Sequence, residues 1–289
     1  MRYPRRDVTY QPDLPAYFAR IGFSGPTPHT AATLHALTHA HVTAIPFENA
    51  DVLLDRGIDL DPAAVEAKLV GAGRGGYCFE QNSLLLHVLQ ALGFHARPIS
   101  ARVRIGRARD FTPARTHVFV RVELDDGPWL CDVGVGAWSL TSAIRLVVDE
   151  PQATHHEPRR LIAKGTWDGF TRRSPDARLF HQVRLGDAWA DVCEFTLEEM
   201  PEIDRVVGNW YTSAHPRSHF RDRLIAARAT PTGRLTLVDR TLTRRGKDGQ
   251  GVDEVIGSAD ELLAVLDREF GLRFAPGTRF ATPGLADLR

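Results

Sequence analysis

A cysteine, a histidine and an aspartate in this sequence have the types and surroundings that covalent acyl transfer requires. Cys78 stands in Arg74-Gly75-Gly76-Tyr77-Cys78-Phe79-Glu80-Gln81-Asn82. The nucleophile of thiol chemistry is the thiolate, so Cys78 needs surroundings that favour an anion. Leu84, Leu85, Val88, Leu89 and Leu92 recur at helical spacing, which starts a helix at or near Cys78. The sulfur then lies beside free amides at the positive end of the helix dipole. The glycines before it let the chain turn sharply and leave the thiol uncrowded. An inert buried thiol is the commoner state of an intracellular cysteine. The glycines, the helix start and the partners described next reverse those odds.

His117 lies in Thr116-His117-Val118-Phe119-Val120-Arg121-Val122-Glu123-Leu124, a clean alternation. As a strand it puts Val118, Val120, Val122 and Leu124 on one face and His117, Phe119, Arg121 and Glu123 on the other. Asp125-Asp126-Gly127-Pro128 is a hairpin turn signal, and Trp129-Leu130-Cys131-Asp132-Val133-Gly134-Val135 follows it. With a two-residue loop Phe119 pairs with Asp132, and His117 becomes the diagonal neighbour of Asp132 at roughly 7 Å. A four-residue loop keeps both on one face but too far apart for a direct bond, unless twist or a bulge restores it. An aspartate among Leu130, Val133 and Val135 is costly to bury without a donor partner. The three residues fit a Cys-His-Asp triad in which His117 takes the Cys78 proton and Asp132 orients the imidazole. The chain order, with the cysteine on a helix and the others on a sheet, is that of papain-like thiol enzymes. It leaves open whether the acyl group passes to water or to an amine.

The elements that must hold these residues fall into three stretches. Asp13 to Gly93 reads as a small helical bundle, with segments at Asp13–Ile21, Thr30–Thr43, Pro62–Leu69 and Gln81–Leu92. Arg97 to Phe195 shifts to period two, with strands expected at Ile99–Ile105, Thr116–Leu124, Trp129–Val135, Ala143–Val148, Leu161–Trp167, Leu179–Leu185 and Trp189–Phe195, a pattern for an antiparallel barrel or sandwich. After Pro201 come helical stretches at Ile203–Trp210 and Ser218–Ala226, strands at Arg234–Asp239 and Val252–Ile256, and a terminal amphipathic helix at Ala259–Phe270. Gly71-Ala72-Gly73-Arg74-Gly75-Gly76 matches the dinucleotide-binding G-x-G-x-x-G pattern. No acidic residue answers it between Glu80 and Asp110, and a helix rather than a strand precedes it, so it reads as steric relief for Cys78. His155-His156 lacks ligands at metal spacing and reads as a polar loop, so no metal is expected.

At 289 residues and 43% hydrophobic content the chain can bury a large core. Lysine plus arginine equals aspartate plus glutamate at 36 each, so no global field attracts nucleic acid or an acidic membrane. No apolar run is long enough to span a bilayer, and the N-terminal residues do not read as a leader. Three dispersed cysteines, Cys78, Cys131 and Cys193, suit free thiols, and the expected location is cytoplasmic.

Ile45-Pro46-Phe47-Glu48-Asn49, the Arg74–Asn82 run, Arg115-Thr116-His117 with Trp129–Gly134, and Asn209–Phe220 together resemble motifs of the bacterial arylamine N-acetyltransferase family. The resemblance covers most of the chain and is most specific at the nucleophile run. It implies an α+β enzyme: a helical bundle over 1–94 bearing the nucleophile, an antiparallel β-barrel over 95–200 bearing His117 and Asp132, and an α/β lid over 201–289. The core would be papain-like. By that analogy acetyl-CoA, a substrate rather than a permanently bound cofactor, acetylates Cys78, and a small aromatic amine, hydrazine or hydroxylamine takes the acetyl group, with His117 as base and acid in turn. The resemblance also places Phe47 and Tyr77 near the thiol and pairs Arg74 with Glu48. Val103, Val135, His215 and Ser218 complete the expected substrate-facing set, with Arg217 a further candidate for CoA. Val135 replaces a phenylalanine common in the family, which widens the acceptor pocket or admits a longer acyl chain. Cys131, Ala214 and Ala137–Leu146 are further departures. A papain-like or transglutaminase-like amide hydrolase uses the same triad, and a binding module that lost the chemistry is the non-enzymatic alternative.

Overall fold

The computed structural model describes residues 10–164 and 178–288. Its first helices begin where side chains can satisfy the free amides of a helix start. Asp13 caps α1 (Leu14–Ile21) by accepting from the Ala16 amide at 2.9 Å, and Thr30 caps α2 (Ala31–Ala44). A two-residue strand, β1 (Phe47–Glu48), precedes α3 (Ala50–Leu53) and α4 (Pro62–Glu66), and α4 continues as a π-helical turn over Ala67–Gly71. The segment before the glycine run is therefore helical. Helix α5 (Cys78–Ala91) starts at the cysteine. Its Leu84, Leu85, Val88 and Leu89 form one core with Leu34 and Leu37 of α2 and with Val120 and Val122 of the adjoining sheet.

That sheet has seven strands: β2 (His95–Val103), β3 (His117–Leu124), β4 (Gly127–Cys131), β5 (Ile144–Arg145), β6 (Arg159–Lys164), β7 (Arg178–Leu185) and β8 (Ala188–Glu199). Their order is β5-β4-β3-β2-β8-β7-β6, and neighbours run antiparallel. Beyond β5 the chain returns to the far edge, where the Asp149 amide donates to the Leu161 carbonyl at 2.7 Å. The sheet is thus a nearly closed barrel, with Ile99, Phe119, Leu130, Leu161, Val183 and Phe195 in its core. Because helices cover its outer side, β3 is buried on both faces. The alternation in its sequence separates helix-facing valines from the barrel-facing Phe119.

Helix α6 (Glu202–Ala214) leads to a second antiparallel sheet of β9 (Ile225–Thr230), β10 (Gly233–Val238), β11 (Thr241–Gly246) and β12 (Gly251–Val255). Strand β1 completes it, pairing Phe47 with Ala227 and Glu48 with Ala226. Helix α7 (Ala259–Phe270) lays Leu262, Val265, Leu266 and Phe270 against Leu237 and Leu242 of this sheet.

Several expected bounds change. The helix at Ser218–Ala226 is absent: turns run to Arg223, and β9 begins at Ile225. Asn49 accounts for this, since its amide donates to the Phe220 and Arg223 carbonyls at 2.8 and 2.9 Å and its oxygen accepts from the Ile225 amide at 2.8 Å. The segment at Trp129–Val135 leaves the ladder after Cys131, because the Val133 amide turns to Asn82 and the Gly134 amide to the Asp132 carboxylate. At Ala143–Val148 only Ile144 and Arg145 are strand. Strand β2 runs His95–Val103 instead of Ile99–Ile105. The expected segment at Leu161–Trp167 is strand to Lys164, and Trp167 lies outside the described residues.

Candidate active site

Cys78 is the first residue of α5, and its approach is set by close contacts. A Cβ on Gly75 would lie 2.2 Å from the Pro46 carbonyl oxygen, so the chain can pass β1 there only without a side chain. The Tyr77 amide donates to the Glu80 carboxylate at 2.9 Å, closing the helix start. Beneath this turn, Arg74 reaches Glu48 at 2.6 Å and Asp51 at 3.2 Å, while Lys68 reaches Asp51 and Glu80, each at 2.7 Å. The Arg74–Glu48 pair is therefore one link of a larger ionic network.

The two-residue hairpin loop brings the other two residues together. Leu124 pairs with Gly127 and Val120 with Cys131, the register in which His117 and Asp132 are diagonal. His117 Nε2 donates to Asp132 Oδ2 at 2.9 Å, both side chains being almost fully buried. Cys78 and His117 face the same cavity, and as a thiol Cys78 Sγ lies 3.5 Å from the carbonyl oxygen of Thr116, the residue before His117. Burial alone would depress the His117 imidazole, but the Asp132 carboxylate and the Cys78 side chain overcome it and push it up to about 10. Asp132 moves the opposite way: burial opposes its charge, and His117, the Asn82 amide and the Gly134 amide hold it below the usual carboxylate range. The pair is therefore carboxylate and imidazolium near neutral pH.

Gly134 is what lets this sheet edge meet the helix. A Cβ there would lie 2.7 Å from Cys78 Cα and 2.7 Å from Asn82 Nδ2. Asn82 joins the two parts: Nδ2 donates to Asp132 Oδ1 at 2.9 Å and to the Val118 carbonyl at 2.8 Å, and Oδ1 accepts from the Val133 amide at 2.9 Å. Sequence reasoning assigned Asn82 no role, although its i, i+4 spacing from Cys78 places both on one helix face.

A cavity of about 540 Å³ opens on Cys78 and His117. Of the expected substrate-facing residues, Phe47, Val103, Val135 and Ser218 line it, and so does Arg217. Tyr77 and His215 do not. The Tyr77 ring is fully buried against Phe79 and Phe220, and its hydroxyl donates to Asn209 of α6. His215 stacks on Tyr211 with ring centres 4.6 Å apart. Ser218 presents little polarity, because its hydroxyl donates to the Thr212 carbonyl at 2.5 Å. Residues not singled out from the sequence supply much of the remaining wall, among them Arg107, Phe111, Trp138, Phe220 and Arg223.

Behind the His117–Asp132 pair the barrel holds further polar groups. The Cys193 sulfur lies within 4.8 Å of ligand atoms of both residues, and burial and nearby negative charge push its thiol well above its ordinary range. It stays protonated. Arg159 is fully buried and donates to the Trp138 carbonyl at 3.1 Å and to Glu157 at 3.3 Å. Glu157 in turn takes a bidentate contact from Arg234 of β10, at 2.9 and 2.8 Å. This chain of charges fixes the turn Gly136–Trp138, which forms part of the cavity wall, to the second sheet. The expected polar loop at His155-His156 is also tied down: the His155 ring stacks on His39 at 3.8 Å, and His156 Nε2 bonds the Thr230 carbonyl at 2.8 Å.

The chain belongs to the N-acetyltransferase family, whose sequence profile matches residues 30–278. Within that family it is similar to arylamine N-acetyltransferases. It is 42% identical to that of Mycolicibacterium smegmatis over 90% of this chain and 92% of the relative, and 40% identical to that of Escherichia coli K12 over 90% and 89%. The solved structure of the Mycobacterium marinum arylamine N-acetyltransferase in complex with CoA superposes with a TM-score of 0.82 at 35% identity, covering 90% of this chain and 92% of that one.

Proposed function

We propose that this protein transfers an acetyl group from acetyl-CoA through a Cys78 thioester to arylamine, hydrazine or hydroxylamine acceptors, with Cys78, His117 and Asp132 as its catalytic triad in a papain-like core. The observation that carries this reading is the buried, hydrogen-bonded His117–Asp132 pair beside a helix-start cysteine, with Cys78 and His117 opening on one cavity. The names of the relatives and the CoA complex of the M. marinum enzyme support the donor and the acceptor class.

The Cys78 thiolate attacks the thioester carbonyl of acetyl-CoA. The tetrahedral intermediate collapses to acetyl-Cys78, and the departing CoA sulfur takes its proton from the His117 imidazolium. The acceptor nitrogen then attacks acetyl-Cys78 and gives its proton to neutral His117, and the Cys78 thiolate leaves, restoring the ion pair. Asp132 stabilises each charged form of His117 and holds the ring by Nε2, leaving Nδ1 for the sulfur. Phe47, Val103 and Val135 supply apolar contacts for an aromatic acceptor, and Arg217 supplies positive charge for CoA.

In this reading the division into 1–94, 95–200 and 201–289 assigns the nucleophile, its partners and the cover to three units. The three buried thiols fit the reducing conditions of the cytoplasm, and no described helix is long and apolar enough to cross a membrane. The test is acetylation of an arylamine by purified wild type, Cys78→Ala and His117→Gln. Turnover by the wild type with loss in both variants is expected. Wild-type cleavage of amides without acetyl-CoA-dependent transfer would replace this reading with the hydrolase.

A further inference from the structure

Helix α6 is turned the wrong way round for a helix on the surface of a lone globular chain. Its inward side is small and polar. Gly208 packs so closely on Phe79 that a Cβ would lie 2.7 Å from the ring, Asn209 bonds the Tyr77 hydroxyl and the Ile58 carbonyl, and Thr212 is buried beside them. Its outward side carries Ile203, Val206, Val207 and Trp210, exposed at 50, 45, 59 and 58%. Their spacing of i, i+3, i+4 and i+7 is that of one continuous helical stripe. Elsewhere in this fold such stripes face the core, as on α7. Single exposed apolar residues are ordinary, whereas a contiguous stripe marks a contact surface.

The charges around the stripe say what fits it. The start of α6 is acidic on balance, with Glu199, Glu202 and Asp204 exposed beside one half-buried Arg205 and with Glu198 paired to Arg115, and the chain just past its end is basic, with Arg217 exposed and His215 half-buried. In an antiparallel pair of two such helices the acidic start of each meets the basic end of the other, while the apolar stripes meet in the middle. A parallel pair would set acid against acid. An anionic lipid surface would likewise repel the acidic end. A two-fold contact is self-complementary in this way, using one patch on both subunits.

We propose that the outward face of α6 is the two-fold contact of a homodimer, formed by antiparallel packing of α6 on the α6 of a second copy. Val206 and Val207, midway along the stripe, lie nearest the axis, and the paired Trp210 side chains flank it. The apolar stripe lies outside the active-site cavity, whose wall takes Tyr211 and Thr212 from α6 and not Val207, while Arg217 at the basic end lines the cavity as well as the contact.

Sedimentation velocity of the full chain over a dilution series tests this. The wild type is expected to dimerise reversibly, and Val207→Glu, which sets two carboxylates face to face near the axis, to weaken dimerisation by about 100-fold or more. Diluted to where the wild type is monomeric, the same variant is expected to keep the wild-type melting temperature and arylamine turnover. A wild type that is monomeric at every concentration overturns the proposal, as does a dimer indifferent to Val207→Glu. So does flotation of monomeric wild type, but not Val207→Glu, with phosphatidylcholine vesicles, which would make lipid the occupant.

Discussion

At the scale of single residues, the site depends on groups whose geometry leaves no slack. Gly134→Ala sets a methyl against the backbone of Cys78, which cannot swing aside, so the sheet edge and the helix must part. A shift of this kind at a nucleophile and its base is expected to lower kcat/KM by about 100-fold, with a loss of stability of about 1–3 kcal/mol. Steady-state kinetics beside urea unfolding separates the two effects, and unchanged kinetics would mean that the helix and sheet edge tolerate separation. Asn82→Ala removes a donor from the buried Asp132 carboxylate and an acceptor from the Val133 amide, and a loss of about 1–3 kcal/mol of stability is expected from the unsatisfied groups. His117 and Asp132 were legible because strand alternation and a two-residue turn fix which side chains share a face. Asn82 was half legible: helical spacing places it beside Cys78, but only the tertiary approach of Asp132 reveals what its amide holds.

At the scale of elements, the ion chain Arg159–Glu157–Arg234 ties the cavity wall to the second sheet, and its members are not equivalent. Glu157 is the shared anion, held down to about 2 because the two arginines outweigh the effect of burial. Glu157→Gln therefore leaves two buried guanidinium groups without a counter-charge and is expected to cost about 3–5 kcal/mol in urea unfolding. Arg159→Met leaves the Arg234–Glu157 contact in place and is expected to cost less. The opposite ranking would show that Arg159 and not Glu157 is the centre of the chain. None of this was legible, because the partners are far apart in sequence and carry no spacing signal. Long periodic elements were readable, as α5, α7 and β3 show. The segment after α6 misled because its local pattern permits a helix, whereas the distant Asn49 claims its carbonyls. Strand β1 is two residues long and exists only because β9 lies beside it, so no local pattern announces it.

At the scale of the whole molecule, opposing shifts of buried histidines set the dependence of stability on pH. Burial pulls His41 down to about 4 and His181 to about 3, so the folded state holds both neutral while the unfolded chain protonates them near 6.5. Their contribution is complete above pH 6.5 and is lost as the pH falls towards 4. His117 acts in the other direction: its raised value gives stability that is complete below 6.5 and is lost as the pH rises through about 10. These three histidines together therefore favour folding most near pH 6.5, which a profile of melting temperature against pH reads. His181→Gln, which keeps an acceptor for Arg159 but takes up no proton, is expected to flatten the acid side, and an unchanged acid side would contradict the assignment. The most direct measurement of the central claim is the intact mass of the whole chain after incubation with acetyl-CoA alone. One acetyl group, located on Cys78, absent from Cys78→Ala and discharged on adding an arylamine, is the predicted result. A chain that transfers acetyl to the arylamine yet never carries it on Cys78 would contradict the account.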